Sequence, residues 1–206
     1  MSENVLRIVL LVQVVVQAGL SLFFIRRSRA AASVFRRREE GVALSALLAG
    51  SYLAYSGGII MYLIESAWMA WGAVADLPTW SRWIGVAPLV AGTVMAMWGL
   101  RTLGRNFAIS VSPQEGNTLV RCGPYRWVRH PLYTVGLVEA VGVSLVMASW
   151  FVGLMTVLLW GGIVYRTPME EEKLIERYGG AYREYITLTG RFLPRFKSAG
   201  QSRVRQ

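Results

Sequence analysis

Cysteine and histidine are nearly missing: Cys122 and His130 are the single examples in 206 residues. One cysteine excludes an internal disulfide framework and a Cys-based zinc cluster, and one histidine excludes a multi-His metal site. Charge is also scarce, at 17% of residues against about 25% in an average soluble domain. Acidic side chains are fewer still, 12 against 22 basic ones, for a net charge of +10. With 54% hydrophobic residues and a mean hydropathy of +0.40, the chain is neither disordered nor an ordinary soluble enzyme.

Long apolar runs take the place of charge. A membrane-crossing helix needs about 20 mostly apolar residues. Val5 to Ile25, Val42 to Ile64 and Trp83 to Leu100 each satisfy this, with Trp80 and Trp83 marking an interface. Leu132 to Tyr165 is apolar except for Glu139. One straight helix of that length would reach about 50 Å, against about 30 Å of hydrocarbon. It therefore reads as two helices in a tight hairpin, turning near Ala148-Ser149-Trp150. The expected fold is an all-α integral membrane protein with about five transmembrane helices.

The charges between these runs set the expected topology. Residues 26–40 carry six arginines and two glutamates, and 101–131 carry five arginines and one glutamate. The tail from Arg166 carries nine basic and five acidic side chains, while 65–82 carries two acids and one arginine. Positive segments stay inside, so the N-terminus is expected outside and the C-terminus in the cytoplasm. The basic balance is then topological, and no motif argues for nucleic acid. The first run has little positive charge before it and arginines after it, the reverse of a cleaved signal.

Residues 101–131 are long for a structureless connection, and such connections tend to carry function. In the tail, Thr167, Pro168 and Glu170 read as N-cap, N1 and N3 of a new helix, a capping box. After the Gly179-Gly180 break, Tyr182 and Tyr185 continue an apolar stripe, so an amphipathic C-terminal helix is expected. Because the hairpin returns, its ends must be neighbours. Arg129, His130 and Tyr133 before it should meet Arg166, Glu170, Glu171 and Glu172 after it. That convergence implies a polar pocket, not yet a reaction.

Each residue also has a structural reading. His130 is a candidate cap of the fourth helix, Glu170 a capping-box member, and Arg126, Arg129 and Arg166 candidate headgroup anchors. Tyr125, Trp127 and Tyr133 fit an aromatic belt. Glu139 at membrane depth is a functional candidate by default, although Gln13 or Gln17 could satisfy it. Gly57-Gly58 and Gly161-Gly162 suggest close helix packing.

Gly123-Pro124-Tyr125-Arg126-Trp127-Val128-Arg129-His130-Pro131-Leu132-Tyr133 is followed about 37 residues later by Glu170-Glu171-x-x-Leu174. Then come Tyr178-Gly179, Tyr182, Tyr185 and Arg191-x-x-Pro194. This combination resembles the isoprenylcysteine carboxyl methyltransferase family, whose wider relatives methylate phospholipids and small thiols. The resemblance covers about residues 101–196. It implies a small membrane bundle with a cytoplasmic pocket for S-adenosylmethionine, S-adenosylhomocysteine being the product. Residues 1–206 are expected to form one membrane domain, with three helices in 1–100 read from the apolar runs, the cofactor-binding core that the resemblance implies in 101–196, and a basic tail in 197–206.

Carried over residue by residue, Asn117, Thr118, Leu119, Val120, Tyr125, His130, Pro131, Leu132 and Tyr133 line the cofactor. Glu170 or Glu171 binds it too, and Arg166 lies nearer the methyl acceptor. Val135 stands where many relatives have glycine, with Gly136 next; Ser112 replaces a glutamine, with Gln114 close by. The implied partners are the lipid bilayer and a lipophilic acceptor, foremost an isoprenylcysteine carboxylate. A carboxylate needs no general base; a thiol or amine would need His130 or a glutamate as proton acceptor. A phospholipid amine or small thiol remains an alternative acceptor. A membrane NADPH-dependent sterol-type reductase shares a similar RHP-x-Y element, with asparagine where this chain has Leu132.

Overall fold

The computed structural model describes residues 3–27, 42–74, 77–104 and 119–195. These build seven α-helices: α1 Glu3–Arg27, α2 Val42–Ile64, α3 Thr79–Ile84, α4 Val86–Leu103, α5 Pro131–Met147, α6 Trp150–Tyr178 and α7 Gly180–Leu188. Two 3-10 turns, Ser66–Gly72 and Gly123–Arg126, join them. Asn117, Thr118, Ser112, Gln114 and the tail 197–206 lie outside the described residues, as does most of 26–40.

Four stretches are long and apolar enough to cross a bilayer: Glu3–Phe24, Ala43–Ile64, Thr79–Leu103 and Trp150–Tyr178. The third is not one straight helix, as expected from sequence, but α3 and α4 meeting at Gly85. α5 is apolar but has 17 residues, or about 26 Å of rise. The outer faces of the helices are greasy: Val15, Leu53, Val94 and Val157 are all more than 60% exposed. Such faces belong against lipid tails rather than water.

A short connection joins α5 to α6. α5 ends at Met147, Ala148 takes the left-handed conformation, and Ser149 caps α6 by accepting from Val152 N–H. The Ser144 and Thr156 hydroxyls, 3.3 Å apart, tie the two helices together.

α4 and α5 cross at close range because both lack side chains at the contact. A Cβ built on Gly142 would lie 2.8 Å from the Gly85 carbonyl, and one on Gly85 would lie 2.6 Å from the Gly142 carbonyl. Two turns further along α4, Gly92 leaves room for Glu139, whose Cγ would be 2.3 Å from an added Cβ. Glu139 is satisfied there by Gln17, by Gln13 at 3.4 Å and by Thr93 at 3.4 Å. Its carboxylate thereby fastens α1 to α4 and α5.

The buried apolar core sits toward one end of the bundle. Leu6 and Leu10 begin α1, Ile59 and Tyr62 end α2, Leu89 begins α4, and Val143 to Met147 end α5. The Arg82 guanidinium closes this end, donating to Glu3 at 2.6 Å, to the Tyr62 hydroxyl at 2.7 Å and to the Val146 carbonyl at 2.8 Å. The opposite end holds the start of α5 and the end of α6, and there the buried groups are polar.

One expectation fails. No new helix begins at Thr167; α6 runs unbroken to Tyr178 with Pro168 inside it. Proline removes a single N–H, and the fully buried Thr167 hydroxyl donates to the Ile163 carbonyl at 2.7 Å, holding the turn beside it. The consequence matters for the site. At 29 residues α6 is about 43 Å long, so its last turns extend beyond an apolar section of about 30 Å. Glu170 and Glu171 ride on that rigid extension, outside the apolar section, rather than on a separate surface helix.

Candidate functional site

The site is assembled by three pieces of chain at the polar end. The first is the run Gly123–Pro131. Gly123 has φ +56 and lies so close to Thr102 of α4 that a Cβ would meet the Thr102 hydroxyl at 2.4 Å. Only glycine can make this turn here. The 3-10 turn then delivers Tyr125 into the interior and His130 to the N-cap of α5, with Pro131 at N1. The second piece is the end of α6. The third is the chain after α7, residues 189–192.

Main-chain hydrogen bonds fix the first piece to the third. Gly190 N–H donates to the Trp127 carbonyl at 3.0 Å, Arg129 N–H to Gly190 at 2.9 Å, and His130 N–H to Arg191 at 3.0 Å. The Thr134 hydroxyl donates to the Phe192 carbonyl at 2.6 Å. α7 adds the Tyr185 hydroxyl, which donates to the Tyr125 carbonyl.

Glu171 is the electrostatic centre. It accepts from Arg129 Nε at 2.8 Å and from Arg191 at 2.6 and 3.1 Å, with only 7% of its side chain exposed. His130 Nε2 approaches its Oε1 to 3.3 Å, off-line, so the buried imidazole nitrogen has no hydrogen bond. Burial alone would raise the Glu171 carboxyl, but His130, Arg191 and Arg129 outweigh it and hold it at about 2. Arg129 also donates to the carbonyls of Ile186, at 3.2 Å, and Thr189. Two guanidiniums and one carboxylate thus lock α5, α6 and the strap after α7 together.

Beside this hub is a more open polar row. The Tyr133 hydroxyl donates to Glu170 Oε2 at 2.8 Å. The Tyr133 ring stacks on the His130 ring, centroids 5.4 Å apart and 7° from parallel. Phe192 lies 6.1 Å from His130 and 5.0 Å from Trp160. Glu170, Tyr133 and Arg166 are only partly buried. Arg166 stands one helical turn before Glu170 on the same face of α6.

The convergence expected from sequence is therefore present for His130, Tyr133, Glu170, Glu171 and Arg129. Pro131 and Tyr125 are buried within the same unit, and Leu132 packs toward α4, where a Cβ on Gly99 would sit 2.9 Å from its Cδ2. Leu119 and Val120 are partly buried in the extended run that leads into the 3-10 turn. Arg191 as a buried-charge partner was not legible. A buried carboxylate demands partners, but nothing in spacing says that the partner is 20 residues downstream.

Comparison with known proteins finds a matching family model, similar sequences and a similar solved structure. The model of the isoprenylcysteine carboxyl methyltransferase (ICMT) family matches residues 83–176. A probable protein-S-isoprenylcysteine O-methyltransferase of Oryza sativa subsp. indica is 28% identical over 169 residues, covering 79% of this chain and 86% of that one. The cobalt-zinc-cadmium resistance protein CzcN of Cupriavidus metallidurans is 32% identical over 118 residues, 56% of this chain and 55% of its own. The solved structure of the eukaryotic intramembrane Ras methyltransferase ICMT superposes with a TM-score of 0.54 at 19% identity. That superposition covers 88% of this chain and 67% of the other.

Proposed function

We propose, from the match of residues 83–176 to the isoprenylcysteine carboxyl methyltransferase family model and the similarity to its relatives, how this chain works. It is a membrane methyltransferase that moves a methyl group from S-adenosylmethionine to the carboxylate of an isoprenylcysteine-type acceptor. The observation that carries this reading is the joining of His130 and Tyr133 to Glu170 and Glu171 across the α5–α6 hairpin, inside the family-matched region.

The residues present fit the cofactor. A nucleoside joined to an amino acid wants a flat apolar wall, a carboxylate for hydroxyl or ammonium groups, and a buried donor or acceptor. Pro131, Leu132 and the Tyr133–His130 stack supply the first, Glu170 the second, and the His130 Nε2 atom the third. Leu119, Val120 and Tyr125 complete the wall in this proposal. Glu171 is saturated by Arg129 and Arg191, so it holds the end of α6 to the start of α5 and to the chain after α7, while Glu170 faces the cofactor.

The bound cofactor supplies a methyl group already activated on a sulfonium. The chain's own work is then positioning and exclusion of water. An acceptor carboxylate is ionised at neutral pH and loses no proton in the step. Arg166, one turn into the apolar section from Glu170, holds it by paired N–H donors. In this reading the chain crosses the bilayer five times, with α5 as the short crossing. Its N-terminus is outside and the site opens to the cytoplasm, where the arginine-rich connections lie. Residues 101–196 form the catalytic core.

A methyl-transfer screen with radiolabelled S-adenosylmethionine tests the reading. Acceptors are a farnesylated cysteine, a phospholipid amine, a small thiol and a hydrophobic acid. Label on the farnesylated cysteine that is released as methanol by base supports it. Base-stable label on the amine or thiol, with none on the carboxylate, overturns the acceptor assignment.

A further inference from the structure

A second cluster lies on the outer surface beside the site. Trp98 on α4 and Trp127, just after the 3-10 turn, meet edge to face with centroids 5.9 Å apart. Both rings remain exposed, at 43% and 42%. The Arg126 guanidinium lies 4.4 Å over the Trp127 ring. Arg101, also exposed, is one helical turn from Trp98. Arg121, in the run that leads into the same 3-10 turn, is paired with Glu184 at 3.2 Å. No ion pair joins Arg101 or Arg126 to an acidic side chain among the described residues.

Two exposed indoles flanked by two guanidiniums with no acidic partner among the described residues, at the end of a lipid-facing helix, form a specific chemical surface. Indoles settle at the glycerol and headgroup level of a bilayer. Guanidiniums bind phosphate through paired N–H donors. The row Arg101–Trp98–Trp127–Arg126 carries net positive charge, so it prefers a headgroup with net negative charge to a zwitterionic one. We propose that this row is a binding site for an anionic phospholipid of the bilayer, such as phosphatidylglycerol. The site adjoins the catalytic unit through the Trp127 carbonyl, which holds Gly190, and through Gly99, which packs on Leu132. It uses none of the residues assigned to the cofactor or the acceptor, so it stands independently of the methyl-transfer reading.

The test is native mass spectrometry of the full chain released from micelles containing equal phosphatidylglycerol and phosphatidylcholine. The wild type is expected to retain phosphatidylglycerol with a preference of about tenfold or more, from two arginines acting together. Arg101→Gln/Arg126→Gln abolishes the preference and Trp98→Leu/Trp127→Leu weakens retention of both lipids. Arg177→Gln, a cation elsewhere, changes neither. An unchanged thermal midpoint shows that each variant is folded. Equal retention of the two lipids by the wild type overturns the proposal, as does a preference that survives the double arginine variant. Displacement of the lipid by 10 mM inorganic phosphate, a concentration on the scale of weak single-anion sites, also overturns it, by showing a free-phosphate site.

Discussion

The Glu171 carboxylate accepts a hydrogen bond from Arg129 Nε at 2.8 Å although 42 residues separate them. Every element of the candidate site touches that pair. Arg129 enters from the N-terminal side of α5, Glu171 from the extension of α6, and Arg191 closes the contact from the strap after α7. Losing one member leaves a buried charge unpaired, which costs about 3–5 kcal/mol.

Glu171→Ala is accordingly expected to lower the unfolding free energy by about that amount in mild detergent, read from chemical or thermal unfolding. The pH dependence follows from the direction of the shift. The carboxyl titrates near 4.5 when unfolded and at about 2 when folded. Its contribution is therefore fully present above about pH 4.5 and is lost as pH falls toward about 2. Glu171→Gln should lack that segment of the stability profile; a variant profile parallel to the wild type between those limits would contradict the pairing.

Gly142→Ala tests the α4–α5 crossing. The added methyl group meets the Gly85 carbonyl, which is backbone and cannot rotate away. Overpacking of this kind costs about 1–3 kcal/mol. Gly153→Ala on α6 meets nothing within 4 Å, so it should be neutral or slightly stabilising. Equal thermal midpoints for the two variants would mean that the helices do not approach as described.

Arg166→Lys separates acceptor from cofactor. Replacing a paired donor by a point charge should cost about 1.5–3 kcal/mol in transition-state binding, roughly ten- to a hundredfold in kcat/KM for the farnesylated cysteine. Affinity for S-adenosylhomocysteine should stay unchanged. A parallel loss of both would move Arg166 into the cofactor pocket.

Glu139→Leu should weaken the bundle without touching the site. It leaves the Gln17 amide without its acceptor, a cost of about 1–3 kcal/mol for a group left unsatisfied, while Gln13 and Thr93 keep the bond to each other. Binding of S-adenosylhomocysteine at a temperature where the variant is folded should match the wild type. A specific loss of binding would assign Glu139 a functional role.

Apolar run length marked the long membrane-type helices, because such helices are bounded by the change from apolar to polar residues, which sequence displays directly. The α3–α4 break was not visible, since Gly85 resembles any glycine until α5 is laid against it. Thr167-Pro168 misled for a related reason: the pair has the chemistry of a helix start, yet the Ile163 carbonyl and packing around Thr167 carry the helix through. His130, Tyr133 and Glu170 were legible from hairpin return alone. Arg191 was not, because the strap that brings it back depends on hydrogen bonds between main-chain atoms, which leave no mark in side-chain identity.

Calorimetry of S-adenosylhomocysteine with the detergent-purified wild type, His130→Ala and Glu170→Gln tests cofactor binding at the α5–α6 site most directly. The wild type should bind one equivalent, and both variants, shown to be folded by their thermal midpoints, should lose at least about tenfold in affinity, or about 1.4 kcal/mol. Undiminished binding by both folded variants would contradict it.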